Sequence, residues 1–312
     1  MGRKGLGYLA VSSAAILWAI GGTYASELID RGASFVELTE ARAWITALAL
    51  AVVSFLRRGE TRVNGSTTRG TAPLWLVVLF GCSIATANLT YYASLSRLPV
   101  AIAITVQYTA PGLVVVWLVL NRRERPSRRV WGALIAAIVG VALLAELPIL
   151  ISEGNLRLDA IGLLVAGISA FAFATYILSG ERVGHAFGAR GSVLRGFLVS
   201  SVIWIIVQAV RGRPDTLLDT SFLPGVVFLA VATTIAPFLL FVWGLEYIRP
   251  SEAGIVSTLE PLAAALFAFI WLDQSLSGWQ LAGAALVLAG ITVVQTERPG
   301  SKDVLAERAA IE

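Results

Sequence analysis

A carboxylate and a proline stand side by side near the middle of an apolar run: Glu260-Pro261, within the stretch Ser251 to Trp271. A charge at the centre of a bilayer costs on the order of 3 kcal/mol by insertion scales, so such a group faces a bundle interior or water. Pro261 has no N–H, which leaves the carbonyl of Ser257 open to a ligand or to water. Ser257 and Glu260 are three residues apart and are expected to share a helix face. The chemistry on offer is a contact to a substrate amine, or a carboxylate that carries a coupling proton. The bland alternative is an interhelical hydrogen bond that fixes the kink. The run Val100 to Leu120, 150 residues earlier, has the counterpart Pro111, preceded by Thr105, Gln107, Tyr108 and Thr109. These polar groups either line a cavity or bond between helices.

Aromatic and amide side chains extend the pattern. Asn88 and Tyr91 share a face, and Trp18, Tyr176 and Trp243 lie deep within other apolar runs, with Thr233, Thr234 and Pro237 near the last. Together they predict an interior pocket with aromatic walls, suited to an amphipathic or aromatic substrate. The expected pocket residues are Trp18, Asn88, Tyr91, Gln107, Tyr108, Tyr176, Trp243 and Ser257, with Glu260 as the coupling candidate and Pro111, Pro237 and Pro261 as kinks. Trp75, Trp131, Trp271 and Trp279 lie near run ends and read as interfacial anchors. Arg42 and Arg195 occupy corresponding positions near helix ends, where both can snorkel, and read as architecture.

The elements that must position these residues are membrane helices. The chain is 57% hydrophobic and 14% charged, where soluble domains carry roughly a quarter charged residues. Apolar runs long enough to cross ~30 Å of hydrocarbon recur from end to end. Ten spans are expected, at about 5–27, 35–56, 73–96, 99–120, 130–150, 158–179, 192–210, 222–247, 251–271 and 277–296. The first lacks a small-x-small cleavage signature and reads as a retained helix. Backbone hydrogen bonds must close internally in lipid, and no period-two pattern suggests a barrel, so the fold class is all-α integral membrane.

Seventeen Lys and Arg residues fall in the loops on the side of the termini and five on the other, which predicts cytoplasmic termini. The net charge of +4 is topological, and no nucleic-acid motif accompanies it. One cysteine, Cys82, and one histidine, His185, placed in a loop, hold no metal or cofactor between them. The same poverty argues against a membrane enzyme. No GxxxxGK[ST] phosphate loop offers ATP.

The chain also repeats. At an offset of 150, Pro111 meets Pro261, Ser127 meets Ser277 and Gly140 meets Gly290. Five spans per half make the second half enter from the opposite side, an inverted repeat with the site at the interface of the halves. The expected units are 1–150, 151–298 and a polar tail at 299–312. The first, third, fourth, sixth, eighth and ninth spans should line the cavity. The fifth and tenth should pack together through small residues such as Gly132, Ala136, Gly140, Gly283 and Gly290, within a monomer or across a weak homodimer.

With Trp18-Ala19-Ile20-Gly21 in the first span, Pro99 and Pro250 opening the fourth and ninth, and Leu259-Glu260-Pro261-Leu262, the chain resembles the drug/metabolite transporter superfamily in its EamA branch. Ala110-Pro111 replaces Glu-Pro in the first half. Within that branch it is most similar to bacterial exporters of aromatic amino acids. The resemblance implies export of an amino-acid-like small molecule by alternating access, with protons as the candidate coupling ion. The alternative within the fold is multidrug or other-metabolite transport; outside it, a non-transporting membrane protein.

Overall fold

The computed structural model describes residues 2–56, 71–95, 97–123, 126–153, 159–212, 214–271 and 275–296. The basic residues expected at 57, 58, 62, 69, 125, 157, 213, 298, 302 and 308, and the tail at 299–312, lie outside them. Every regular element among the described residues is helical: α1 (Arg3–Asp30), α2 (Phe35–Leu56), α3 (Leu74–Leu95), α4 (Val100–Gln107), α5 (Ala110–Asn121), α6 (Arg128–Leu144), α7 (Leu147–Ser152), α8 (Ala160–Arg211), α9 (Asp215–Leu218), α10 (Leu223–Ala230), α11 (Ala236–Gly244), α12 (Pro250–Ser257), α13 (Leu259–Trp271) and α14 (Gly278–Gln295). By length and composition, 7 helices among the described residues can cross a membrane.

Several expected spans are broken, and each break has a local cause. The fourth stops at Gln107 and restarts at Ala110, where Pro111 supplies no N–H to the carbonyl of Gln107. The ninth stops at Ser257 and restarts at Leu259, just before Pro261. The fifth ends at Leu144, where Glu146 adopts φ 56° and Pro148 opens a short helix. The eighth carries a π-helical turn, Val231–Ile235, between α10 and α11.

The loop expected between spans six and seven, with His185 in it, does not form. Helix continues through it in α8, except at Gly188, whose φ of 67° and ψ of 168° a glycine adopts without the Cβ penalty. The chain reverses there. Ser192 Oγ donates to the carbonyls of Val183 at 2.7 Å and Gly188 at 2.8 Å. The ring of Phe80 on α3 meets both arms: a Cβ on Gly180 would lie 3.2 Å from it, and one on Gly196 2.6 Å. α3 thus packs into a helical hairpin rather than along one long rod.

Helices α6 and α14 pair antiparallel within the chain, and both start on a serine cap. Ser127 Oγ accepts from Val130 N at 3.3 Å; Ser277 Oγ accepts from Gln280 N at 3.3 Å, and the Gln280 side chain returns to Ser277 N at 3.0 Å. Small residues set the approach. A Cβ on Gly283 would stand 2.6 Å from the Gly140 carbonyl, and one on Gly290 2.8 Å from that of Ala133. Gly132 has open space around it, so the contact face of α6 runs through Ala133, Ala137 and Gly140 instead of Gly132 and Ala136.

The polar loops sort to two ends. At one, Lys4 pairs with Glu252 at 2.7 Å, Arg122 pairs with Glu181, and Arg122 and Arg182 lie over Trp117. At the other, Arg97 pairs with Asp159 at 3.0 Å and holds its carboxyl below the usual carboxylate range. There too Glu37 accepts from the backbone of Thr216 at 2.8 Å and Leu217 at 3.2 Å.

Candidate functional site

The helix breaks meet one cavity of about 390 Å³. Its walls come from the second half of α1, from α2, α3 and α4, from the first arm of α8, and from α11 and the start of α13. It reaches exposed Gly22, Ser26 and Val100, on the side away from the Lys4–Glu252 pair.

Six of the expected pocket residues line it: Trp18, Asn88, Tyr91, Gln107, Tyr108 and Tyr176. Glu260 and Pro261 line it as well. Tyr108, in the break after α4, and Glu260, in the first turn of α13, both line the cavity, so the two breaks open on the same space. They also touch where Gly254 faces Pro111; a Cβ there would lie 3.3 Å from the proline ring. Gln107 Nε2 donates to Ser169 Oγ at 3.2 Å, and Ser169 Oγ donates to the Ala87 carbonyl at 2.9 Å, linking α4, α8 and α3.

Two expected residues do not reach the cavity. Trp243 stands five residues beyond the lining residue Phe238, well around the helix, and its ring packs on Tyr247 at 5.2 Å. Ser257 is fully buried and donates back to the Gly254 carbonyl at 2.7 Å. The three-residue spacing to Glu260 does not place both on one face, because α12 ends at Ser257. Pro111 and Pro237 are buried beside the cavity rather than in its wall.

The apolar wall is aromatic. Tyr176 stacks on Phe80 at 5.4 Å and Phe173 at 6.0 Å, and meets Phe238 edge-on at 5.5 Å. Its hydroxyl is buried without a hydrogen-bond partner among the described residues, a state that costs about 1–3 kcal/mol unless a ligand or water completes it. Tyr91, Tyr92 and Phe35 form a second run of rings, at 5.6 and 5.1 Å.

One lining residue was assigned elsewhere by the sequence. Arg42, expected at the interface, faces this cavity. Pro237 has no N–H to offer the carbonyl of Thr233, four residues back, and Arg42 Nη2 reaches that carbonyl at 3.5 Å. Arg42 Nε donates to Thr234 Oγ1 at 2.7 Å. The π turn lets the hydroxyls of Thr233 and Thr234 both bond the Leu229 carbonyl at 2.9 Å, which fixes the acceptor. Its counterpart Arg195 lies outside the cavity, over Phe187 at 4.0 Å, and donates to the Gly191 carbonyl at 2.9 Å. Sequence also passed over Glu40, which is fully buried with neither carboxylate oxygen hydrogen-bonded among the described residues.

The described residues hold no group of three or more His, Cys, Asp or Glu placed to bind a metal. What they define is a multi-pass, all-helical membrane protein with a polar, aromatic-walled cavity at broken helices. The EamA-like transporter family matches the chain twice, over residues 5–145 and 160–296. The chain belongs to that family, within the drug/metabolite transporter superfamily. Threonine/homoserine exporter RhtA of Salmonella typhimurium strain SL1344 is 27% identical over 231 residues, covering 73% of this chain and 74% of that one. The uncharacterized inner membrane transporter YicL of Salmonella typhimurium strain LT2 is 26% identical over 301 residues, 95% and 97% of the two chains. A solved crystal structure at 20% identity superposes with a TM-score of 0.73 over 94% of this chain and 98% of its own, which shows the fold.

Proposed function

We propose that this protein is a secondary transporter that exports small amino acids or amino-acid-like metabolites across a bacterial inner membrane. The observation that carries the reading is the cavity with Glu260 and Tyr108 in its wall at two broken helices. Broken half-helices at the meeting point of two repeats are where transporters of this build hold substrate. The family match over two segments and the exporter relatives support the same reading.

In this account the chain forms ten spans in two inverted five-helix units, 1–150 and 151–298, ahead of a cytoplasmic tail. Both termini face the cytoplasm, and a monomer suffices for transport. The Lys4–Glu252 and Arg122–Glu181 pairs close the cytoplasmic end in this conformation, while the cavity reaches toward the other. Rocking of one unit against the other breaks these pairs and reverses access. Glu260 takes the substrate ammonium or a coupling proton.

The ring walls favour an aromatic substrate as a second reading within the amino acids. Uptake of labelled L-threonine and L-phenylalanine into proteoliposomes, with and without a pH gradient, tests both. Saturable uptake of either supports transport, and the ratio decides between small and aromatic side chains. Empty-liposome rates for both would refute the amino-acid reading.

A further inference from the structure

We infer that the cavity recognises a zwitterion, with Arg42 holding the substrate α-carboxylate across from Glu260, which holds the α-ammonium. This rests on the amino-acid reading above and adds to it the group that reads the acid end.

The walls carry one basic side chain, Arg42, and one acidic side chain, Glu260, among the described residues that line them. Neither belongs to any of the ion pairs among the described residues. Both face the same cavity. Two opposite charges left apart across a cavity form a dipolar receptor. A carboxylate and an ammonium on one small molecule complete both at once.

The guanidinium is held by one edge. Nε is engaged by Thr234 at 2.7 Å and one Nη touches the Thr233 carbonyl at 3.5 Å, so the planar fork keeps donors for a ligand. Arg is suited to this because its fork matches a carboxylate bidentately. Its distance into the membrane also fits. Arg42 stands seven residues into α2, about 10 Å along the axis. Snorkelling to the interface would have turned it away from the cavity that it lines.

The same pair works against other cargo. A lipophilic cation meets Arg42 with a like charge, and a phosphate ester meets Glu260. A neutral metabolite leaves both charges unanswered. A zwitterion alone satisfies the two without a counterion.

The test is inhibition of labelled L-phenylalanine and L-threonine uptake in proteoliposomes of the full chain. Competitors are the unlabelled amino acid, its carboxamide, and the deaminated acid (3-phenylpropanoate for phenylalanine). In the unaltered protein the carboxamide and the deaminated acid should each compete at least about tenfold more weakly than the parent, a difference of about 1.4 kcal/mol. Arg42→Gln should erase the gap between amino acid and carboxamide while leaving the gap to the deaminated acid. Arg42→Lys, which keeps the charge and loses the fork, should narrow it. Carboxamides that compete as well as their parents in the unaltered protein overturn the inference without touching transport itself, and need no variant to fold. An Arg42→Gln protein that melts normally and keeps the full gap overturns it too. Uptake of neither amino acid sinks the amino-acid reading and this inference with it.

Discussion

The two broken helices, α4–α5 and α12–α13, share a scaffold and differ in charge. Each runs eight residues, breaks, and resumes one or two residues before a proline, Pro111 in one and Pro261 in the other. At the break the first offers the neutral donor Tyr108, and the second the carboxylate Glu260. The corresponding arginines diverge in the same way, Arg42 into the cavity and Arg195 away from it. Pro111 and Pro261, 150 residues apart, each stand just after a break. The residues that differ between the two pairs, Arg42 and Glu260, are the charged ones in the cavity wall among the described residues.

The largest disturbance should come where the two breaks touch. Gly254→Leu drives a side chain into Pro111, which already stands 3.3 Å from a Cβ placed there. Overpacking of this kind costs about 1–3 kcal/mol or more, so melting in detergent should fall by several degrees and uptake should be lost. Normal melting and uptake would show that the breaks move independently. Glu260→Gln keeps the shape and removes the charge. Substrate affinity should fall by about 10- to 100-fold with little change in melting, the range for a hydrogen bond to a charged group. An unchanged half-saturation would place the negative pole elsewhere.

Tyr108→Phe removes only the hydroxyl that the first break brings to the cavity wall. Uptake should weaken by about fivefold, consistent with one hydrogen bond of about 1 kcal/mol. A larger effect than that of Glu260→Gln would invert their roles. Arg195→Gln should be silent within about twofold in uptake, since exposed substitutions stay within about 0.5 kcal/mol. Equal sensitivity at Arg195 and Arg42 would dissolve the contrast between them.

Much of this was legible in the sequence, and the failures have physical causes. Glu260-Pro261, Tyr108 and Gln107 stood out because a proline and polar groups inside an apolar run are costly in lipid unless a helix break or a cavity takes them up. Six of eight expected pocket residues line the cavity. Ser257 failed because helical spacing does not carry across the break it predicts. Trp243 failed because an almost wholly apolar helix gives no face to read, and depth alone was used. Arg42 was misplaced for a related reason: position along a span measures depth, and says nothing about direction. The π turn that holds it lies within a run whose composition favours continuous helix, whereas the reversal at Gly188 falls in the connection expected between spans six and seven, which is shorter than the sequence suggested. The basic loops at 57–70 and the tail lie outside the described residues.

The most direct test of an amino-acid transporter with this cavity is counterflow. Proteoliposomes preloaded with unlabelled L-threonine or L-phenylalanine are diluted into the labelled form, and label is followed against liposomes preloaded with sucrose. Alternating access around one zwitterion site requires a transient overshoot with the amino acid inside and none with sucrose. Label that enters at the same rate from both preparations, or only at the empty-liposome rate, would contradict it.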